Sequence, residues 1–196
     1  LHDIPTIIDQ FPLSQDELDP YGESTLDPDF VECMRYVLGK TYQSIKVYDL
    51  APEIENLESI PYIVVNDGYR EYDISGMGDG ELVCLLTAWA VSRAVNNSVL
   101  IFEEIETYLS PKTQMRLMDY VAYHASQREI AVVLTTHSPD LLSSIHLESI
   151  CLLRPYPTGT LISSVSSQNE LREAVGLNIP RMGCLVVEDD RAEQFL

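Results

Sequence analysis

The chain has 196 residues, 45 % of them hydrophobic, with 12 basic against 31 acidic side chains and a formal net charge of −19. That length and apolar content allow one or two domains with a buried core. The acidic balance argues against direct binding of a nucleic-acid backbone, which needs clustered Lys and Arg, and no apolar run approaches the ~20 residues of a membrane helix.

The opening Leu1-His2-Asp3-Ile4-Pro5 has neither the basic nor the apolar region of a signal peptide. With no initiator Met, residues upstream are expected. Cys33, Cys84, Cys151 and Cys184 form no C-x-x-C pair and read as reduced thiols of a cytoplasmic protein.

Residues 1–60 hold 13 acidic side chains and three basic ones, Arg35, Lys40 and Lys46. Pro5, Pro12, Pro20 and Pro28 interrupt any long element, so this part reads as an acidic, partly irregular segment with short elements. Its charge is that of a solvated stretch or of a charged partner surface. Asp29 to Lys40 is predicted as a helix capped by Asp27 or Asp29 and closed near Gly39. Tyr42 to Leu50 and Pro61 to Asn66 read as strands. Asn66-Asp67-Gly68 is a turn signal with a returning strand over Tyr69 to Ile74.

From residue 61 to 165 the pattern changes to strands alternating with helices. Glu81 to Val95 reads as an apolar-rich helix opened by a glycine-rich turn. Ser98 to Phe102 and Ile130 to Leu134 read as apolar strands buried on both faces. Between them Ser110 to Ser126 is a helix with Pro111 in its first turn, where proline is tolerated. Pro139 to Ile145 is a short helix capped by Ser138. Ser149 to Leu153 and Thr160 to Ser164 are further strands and Gln168 to Val175 a short helix. Over 166–196, a linker leads to the strand Cys184 to Val187 and a helix from Asp190. The expected fold class is α/β, a mainly parallel sheet flanked by helices.

Three constellations carry chemistry. Val99 to Glu104 is an apolar strand ending in two adjacent carboxylates, and ligands of open α/β sheets bind beyond the carboxyl ends of strands. Glu103 there can hold Mg²⁺ directly or through water, and Glu104 can orient or polarise an attacking water. Leu134-Thr135-Thr136-His137-Ser138-Pro139-Asp140 ends a second strand in a histidine turn. A helix between the two strands puts both polar tips on one edge of a parallel sheet, as phosphoryl transfer needs. Ser75-Gly76-Met77-Gly78-Asp79-Gly80-Glu81 runs into a helix, where glycines let backbone N–H groups approach a ligand and the helix start favours an anion.

In this order the three segments resemble the signature, Walker B and switch-histidine motifs of ATP-binding-cassette (ABC) ATPases. The soluble branch with the OLD and RecF/SMC-like proteins is the most similar. Phe102 to Pro111 resembles that branch's acidic-Glu-Pro-Glu-x-x-Leu-His-Pro run, and Thr135 to Pro139 its histidine motif. The resemblance covers residues 74–150 well and the flanks loosely. It implies a P-loop NTPase-like, ABC-type fold with ATP and Mg²⁺ as cofactors. Glu103 would take the Mg²⁺–water role usually held by Asp, Glu104 that of catalytic base, and His137 that of γ-phosphate sensor. The signature loop, Ser75, Gly76, Gly78, Asp79, Gly80 and Glu81, would contact ATP held by a second protomer, in a head-to-tail homodimer or higher oligomer. Two alignments of that loop compete, one on Ser75-Gly76 and one on Gly78 to Glu81.

The sequence departs from the family at several points. Glu103 is one methylene longer than Asp, Ile105 and Ser110 replace the usual Pro and His, and no G-x-x-x-x-G-K-[ST] occurs. The P-loop portion is therefore expected in a missing lobe, and this chain alone is expected to be inactive. Cys184 to Glu193 resembles the opening of a Toprim domain, with Glu188 as a metal-binding residue, although Asp189 stands where Gly is usual. The implied function is an ATPase that regulates DNA processing or antiviral defence, with a nuclease or effector subunit, indirect DNA contact and no membrane. Two rivals are the regulatory part of an OLD-type Toprim endonuclease and a non-catalytic ATPase-like interaction module. A transport ATPase fits less well, since those usually carry a cleaner signature.

Overall fold

The computed structural model describes residue 18 and residues 23–50 and 60–176. The expected Toprim-like strand, with Glu188, lies outside the described residues. The chain divides into two compact units, Leu1–Ser144 and Ile145–Leu196. Residues 23–50 share one core with the described residues that follow them up to 144, and residues 145–165 belong to the second unit.

The first unit opens with β1 (Glu23–Thr25) and α1 (Pro28–Leu38). Asp27 caps α1 by accepting the Phe30 N–H at 2.7 Å, and Gly39 ends it at φ 65°, a conformation that favours glycine. Phe30, Val31, Met34 and Val37 form its buried face. Three strands follow, β2 (Ser44–Leu50), β3 (Ile60–Asn66) and β4 (Glu71–Asp73). They make an antiparallel sheet in the order β1-β2-β3-β4. Its register pairs Ile45 with Val65 and Val47 with Ile63, all buried. The β3–β4 turn is set by Asp67, whose Oδ1 accepts the N–H groups of Tyr69 and Arg70 at 2.8 and 2.9 Å. Those backbone bonds hold its carboxyl below the usual range.

A 3₁₀ turn, Ile74–Gly76, leads into α2 (Asp79–Arg93). This helix is the hub of the core and buries Leu82, Cys84, Leu85, Leu86, Ala88 and Val91. Burial pushes the Cys84 thiol up to about 12, so it is an inert packing group. Arg128 caps the end of α2, donating from Nη1 to the carbonyls of Ser92 and Ala94, each at 3.0 Å.

Next come β5 (Val99–Glu103), α3 (Pro111–Gln127), β6 (Ala131–Thr135) and α4 (Pro139–Ser144). Strands β5 and β6 are parallel, with Val99 opposite Ala131 and Glu103 opposite Thr135. Ser110 caps α3 and Pro111 fills its first turn. The expectation that these two strands are buried on both faces is corrected. Leu100, Phe102, Val132 and Leu134 pack on the core, while Val99, Ile101 and Val133 are 61 %, 77 % and 54 % exposed. The pair has described cover on one side only, and an apolar run does not reveal which of its faces is covered. The α/β class is as expected, and among the described residues β5–β6 is the one parallel pair.

The second unit contains a 3₁₀ turn, Leu147–Ser149, the antiparallel hairpin β7 (Cys151–Tyr156) and β8 (Gly159–Ser164), and α5 (Gln168–Ala174). Ser167 caps α5. Glu170, held down to about 2 by hydrogen bonds from Ser166, also pairs with Arg154 at 2.8 Å. No described helix is long and apolar enough to cross a membrane.

Candidate functional site

Parallel pairing puts the ends of β5 and β6 side by side, because Glu103 and Thr135 are register partners. The chain leaves β5 through Glu104, at φ 44°, a left-handed conformation unusual for a residue with a Cβ. Three bonds hold it there. Its N–H donates to the Thr135 carbonyl at 3.0 Å, and its carbonyl accepts the N–H and hydroxyl of Thr107 at 3.1 and 2.9 Å. Backbone in such a region clusters at functional sites. Here it turns the Glu104 carboxylate toward the histidine turn, where Glu104 Oε1 lies 3.5 Å from His137 Nε2.

The two turns are tied together at further points. Glu106 Oε1 accepts the Thr136 hydroxyl at 2.5 Å and the His137 N–H at 2.9 Å. Gln114, buried on α3, donates to the carbonyl of Leu109 at 3.0 Å and accepts from the Ser138 hydroxyl at 2.5 Å. Ser138 Oγ in turn accepts the Leu141 N–H at 3.3 Å, opening α4. Ile105 is buried and anchors the loop. His137 itself is 85 % exposed, so its ring can meet a ligand.

Glu103 is exposed at the end of β5, and its carboxylate has no ion-pair or hydrogen-bond partner among the described residues. No three His, Cys, Asp or Glu residues converge as a metal cage among the described residues. One free carboxylate beside a second, Glu104, suits Mg²⁺, which keeps several waters and takes its remaining ligands from substrate phosphates. The donor set therefore fits the expected ion through Glu103 and does not fit a metal held by protein alone.

The glycine-rich segment divides into three parts. Ser75 is exposed, and its N–H and hydroxyl both donate to Asp73 Oδ1, at 2.9 and 2.6 Å. Gly76 lies against Tyr72. Gly78 is the N-cap of α2, exposed, with open space where a Cβ would stand, and its carbonyl accepts the N–H groups of Glu81 and Leu82 at 2.9 and 3.1 Å. Gly80 packs on the backbone, since a Cβ would stand 2.7 Å from the Tyr108 carbonyl. Glu81 departs from the expected ligand role. Its side chain is 4 % exposed and accepts from Lys40 Nζ at 2.6 Å, Tyr42 OH at 2.5 Å and Tyr72 OH at 2.8 Å. Burial, then the bond to Glu81, push the Tyr42 and Tyr72 hydroxyls well above the usual phenol range.

The described structure thus brings Glu103, Glu104 and His137 to one edge and turns Glu81 into the core. Sequence reasoning gave no role to Glu106, Gln114 or Lys40. Glu106 was signalled by its place as the second Glu of the acidic-Glu-Pro-Glu run that Phe102 to Pro111 resembles, without a role, and Gln114 and Lys40 by nothing local.

Comparison with known proteins adds the relatives. The family described as "AAA domain, putative AbiEii toxin, Type IV TA system" matches residues 3–143. The energy-coupling factor transporter ATP-binding protein EcfA1 of Staphylococcus aureus strain MSSA476 is 26 % identical over 181 residues, covering 82 % of this chain and 66 % of its own length. Its counterpart in strain N315 is 25 % identical with the same coverage. The chain thus spans 66 % of the length of these relatives. A solved chain from "Structural biochemistry of ATP-driven dimerization and DNA stimulated activation of SMC ATPases" superposes with a TM-score of 0.52 at 13 % identity, over 88 % of this chain and 95 % of that one. The α/β fold is shared with that SMC ATPase chain.

Proposed function

The chain belongs to the AAA-domain family matched over residues 3–143, and from that premise we propose that it forms the part of an ABC/SMC-like ATPase that carries the signature loop, the catalytic carboxylate and the switch histidine. The observation that carries this reading is Glu104 Oε1 at 3.5 Å from His137 Nε2, at the adjacent ends of two parallel strands.

In the proposed reaction Glu104 accepts a hydrogen bond from the attacking water and takes its proton as the oxygen adds to the γ-phosphorus of ATP, while the bond from that phosphorus to the β–γ bridging oxygen breaks and ADP leaves. His137 donates to a γ-phosphate oxygen, where negative charge must be held. Glu103 holds Mg²⁺, which when bound neutralises charge on the phosphate oxygens. The exposed start of α2, at Gly78 and Asp79, meets the phosphates of ATP bound by a second protomer. Support for pairing of two protomers comes from the ATP-driven dimerisation named for the solved SMC chain, and the head-to-tail arrangement is part of the proposal.

The wider role in DNA processing or antiviral defence belongs to the same proposal. Its support is the toxin–antitoxin system in the family's description and the DNA-stimulated activation named for the SMC ATPases. The transporter named in the EcfA1 relatives favours a second reading, an ATPase that drives a membrane partner. A Toprim nuclease start at Glu188 remains a further proposal, checked by loss of Mg²⁺-dependent DNA cleavage in Glu188→Ala. The central test is Mg-ATP turnover by the full gene product. Wild type is expected to turn over, with Glu104→Gln and His137→Ala each lower by about 10²–10³-fold. Turnover unchanged in both variants would remove this site from the reaction.

A further inference from the structure

Glu106 belongs to no assigned role, yet it makes the most direct link between the two turns of the site. One of its oxygens, Oε1, accepts both the Thr136 hydroxyl and the His137 N–H, across 30 and 31 residues of sequence. The other, Oε2, is buried and has no hydrogen-bond partner among the described residues. A carboxylate oxygen withdrawn from water in this way is unfavourable. It is retained because the loop around it is fixed from several sides. Ile105 is buried, the Glu106 carbonyl accepts the Leu109 N–H at 3.0 Å, and Gly80 packs on the Tyr108 carbonyl.

His137 has no comparable support of its own. Its ring is 85 % exposed, and among the described residues its one side-chain partner is Glu104 at 3.5 Å. The direction in which the ring leaves the backbone is therefore set by the Thr136–His137 peptide, and that peptide is pinned by Glu106. The Ser138 N–H to Thr136 Oγ1 bond, at 2.9 Å, extends the same clamp one residue further.

We propose that Glu106 is a positioning residue: through Thr136 and the His137 N–H it locks the histidine turn to the carboxylate loop and so holds His137 over Glu104. The idea rests on the ATPase reading for its effect on rate, while the clamp itself is a property of the folded chain. Both accepted bonds use one oxygen, so a Gln carbonyl serves as well as the carboxylate. Glu106→Gln should therefore keep the clamp, while Glu106→Ala removes it.

The experiment joins two readouts on the full gene product, comparing wild type, Glu106→Ala and Glu106→Gln. Amide hydrogen exchange at His137 is measured without nucleotide. Mg-ATP turnover is then measured over a range of ATP concentrations. In Glu106→Ala the His137 amide is expected to exchange at least about tenfold faster, as a lost local bond allows. Its kcat should fall by about 10–100-fold with KM little changed, the mark of a misplaced catalytic group. Glu106→Gln should behave as wild type in both. A merely structural role would move exchange throughout the fold and would not separate kcat from KM. Unchanged His137 exchange in Glu106→Ala, or a Glu106→Gln variant as impaired as Glu106→Ala, would overturn the proposal. If wild type shows no turnover, the ATPase reading fails, and His137 exchange alone still decides the clamp.

Discussion

Glu104 and Glu81 are the same residue in two opposite environments. Glu104 stands at a strand end, 44 % exposed, on a left-handed backbone, with His137 at 3.5 Å as its one side-chain partner among the described residues. Glu81 sits in the first turn of α2, 4 % exposed, with three donors at 2.5 to 2.8 Å. A carboxylate with unspent acceptor capacity, held in an unfavourable conformation, is placed for chemistry. A carboxylate whose lone pairs are taken by donors from other parts of the chain fixes structure. Lys40 follows α1, Tyr42 precedes β2 and Tyr72 lies in β4, so Glu81 ties the start of α2 to the antiparallel sheet and to the end of α1.

The sharpest way to break this contrast is Glu81→Ala. It strands two phenol hydroxyls and an ammonium. Because Lys40 is half exposed and can turn to water, the expected loss is about 2–4 kcal/mol, read as a lower urea midpoint. An unchanged midpoint would show that the cluster does not hold the fold. Gly80→Ala comes next. Its Cβ would meet the Tyr108 carbonyl at 2.7 Å, and displacing that backbone should cost about 1–3 kcal/mol. The smallest effect at neutral pH concerns the phenols. Tyr42 and Tyr72 have folded pKa values raised above their ordinary value of 10.0. Their contribution is fully present below pH about 10 and is lost as the pH rises toward and through the folded values. Chemical denaturation between pH 8 and 11 should show stability falling at the alkaline end, and Tyr42→Phe should flatten that fall.

Much of the fold was legible because its signals are local. Asp27 and Gly39 bracket α1, Pro111 marks the first turn of α3, and the carboxylate and histidine tips mark the ends of β5 and β6. β1 was missed because Glu-Ser-Thr has no apolar alternation and all three residues are exposed. The exposed face of β5–β6 was misread because Val99 and Ile101 are as apolar as Leu100 and Phe102, and cover is decided by what packs on them. The inward turn of Glu81 depends on partners 9, 39 and 41 residues away. Glu106 likewise depends on a turn 30 residues on. Spacing along the chain puts such groups on the same edge and does not say which of them touch.

The most direct test of the account measures Mg-ATP turnover and thermal midpoint together for Glu104→Gln and Glu81→Gln in the full gene product. Glu104→Gln should lose turnover by about 10²–10³-fold with its midpoint unchanged, and Glu81→Gln should lose stability while its folded fraction still turns over. Full turnover in Glu104→Gln, or a lowered midpoint in Glu104→Gln with none in Glu81→Gln, would contradict the division of labour between the two carboxylates.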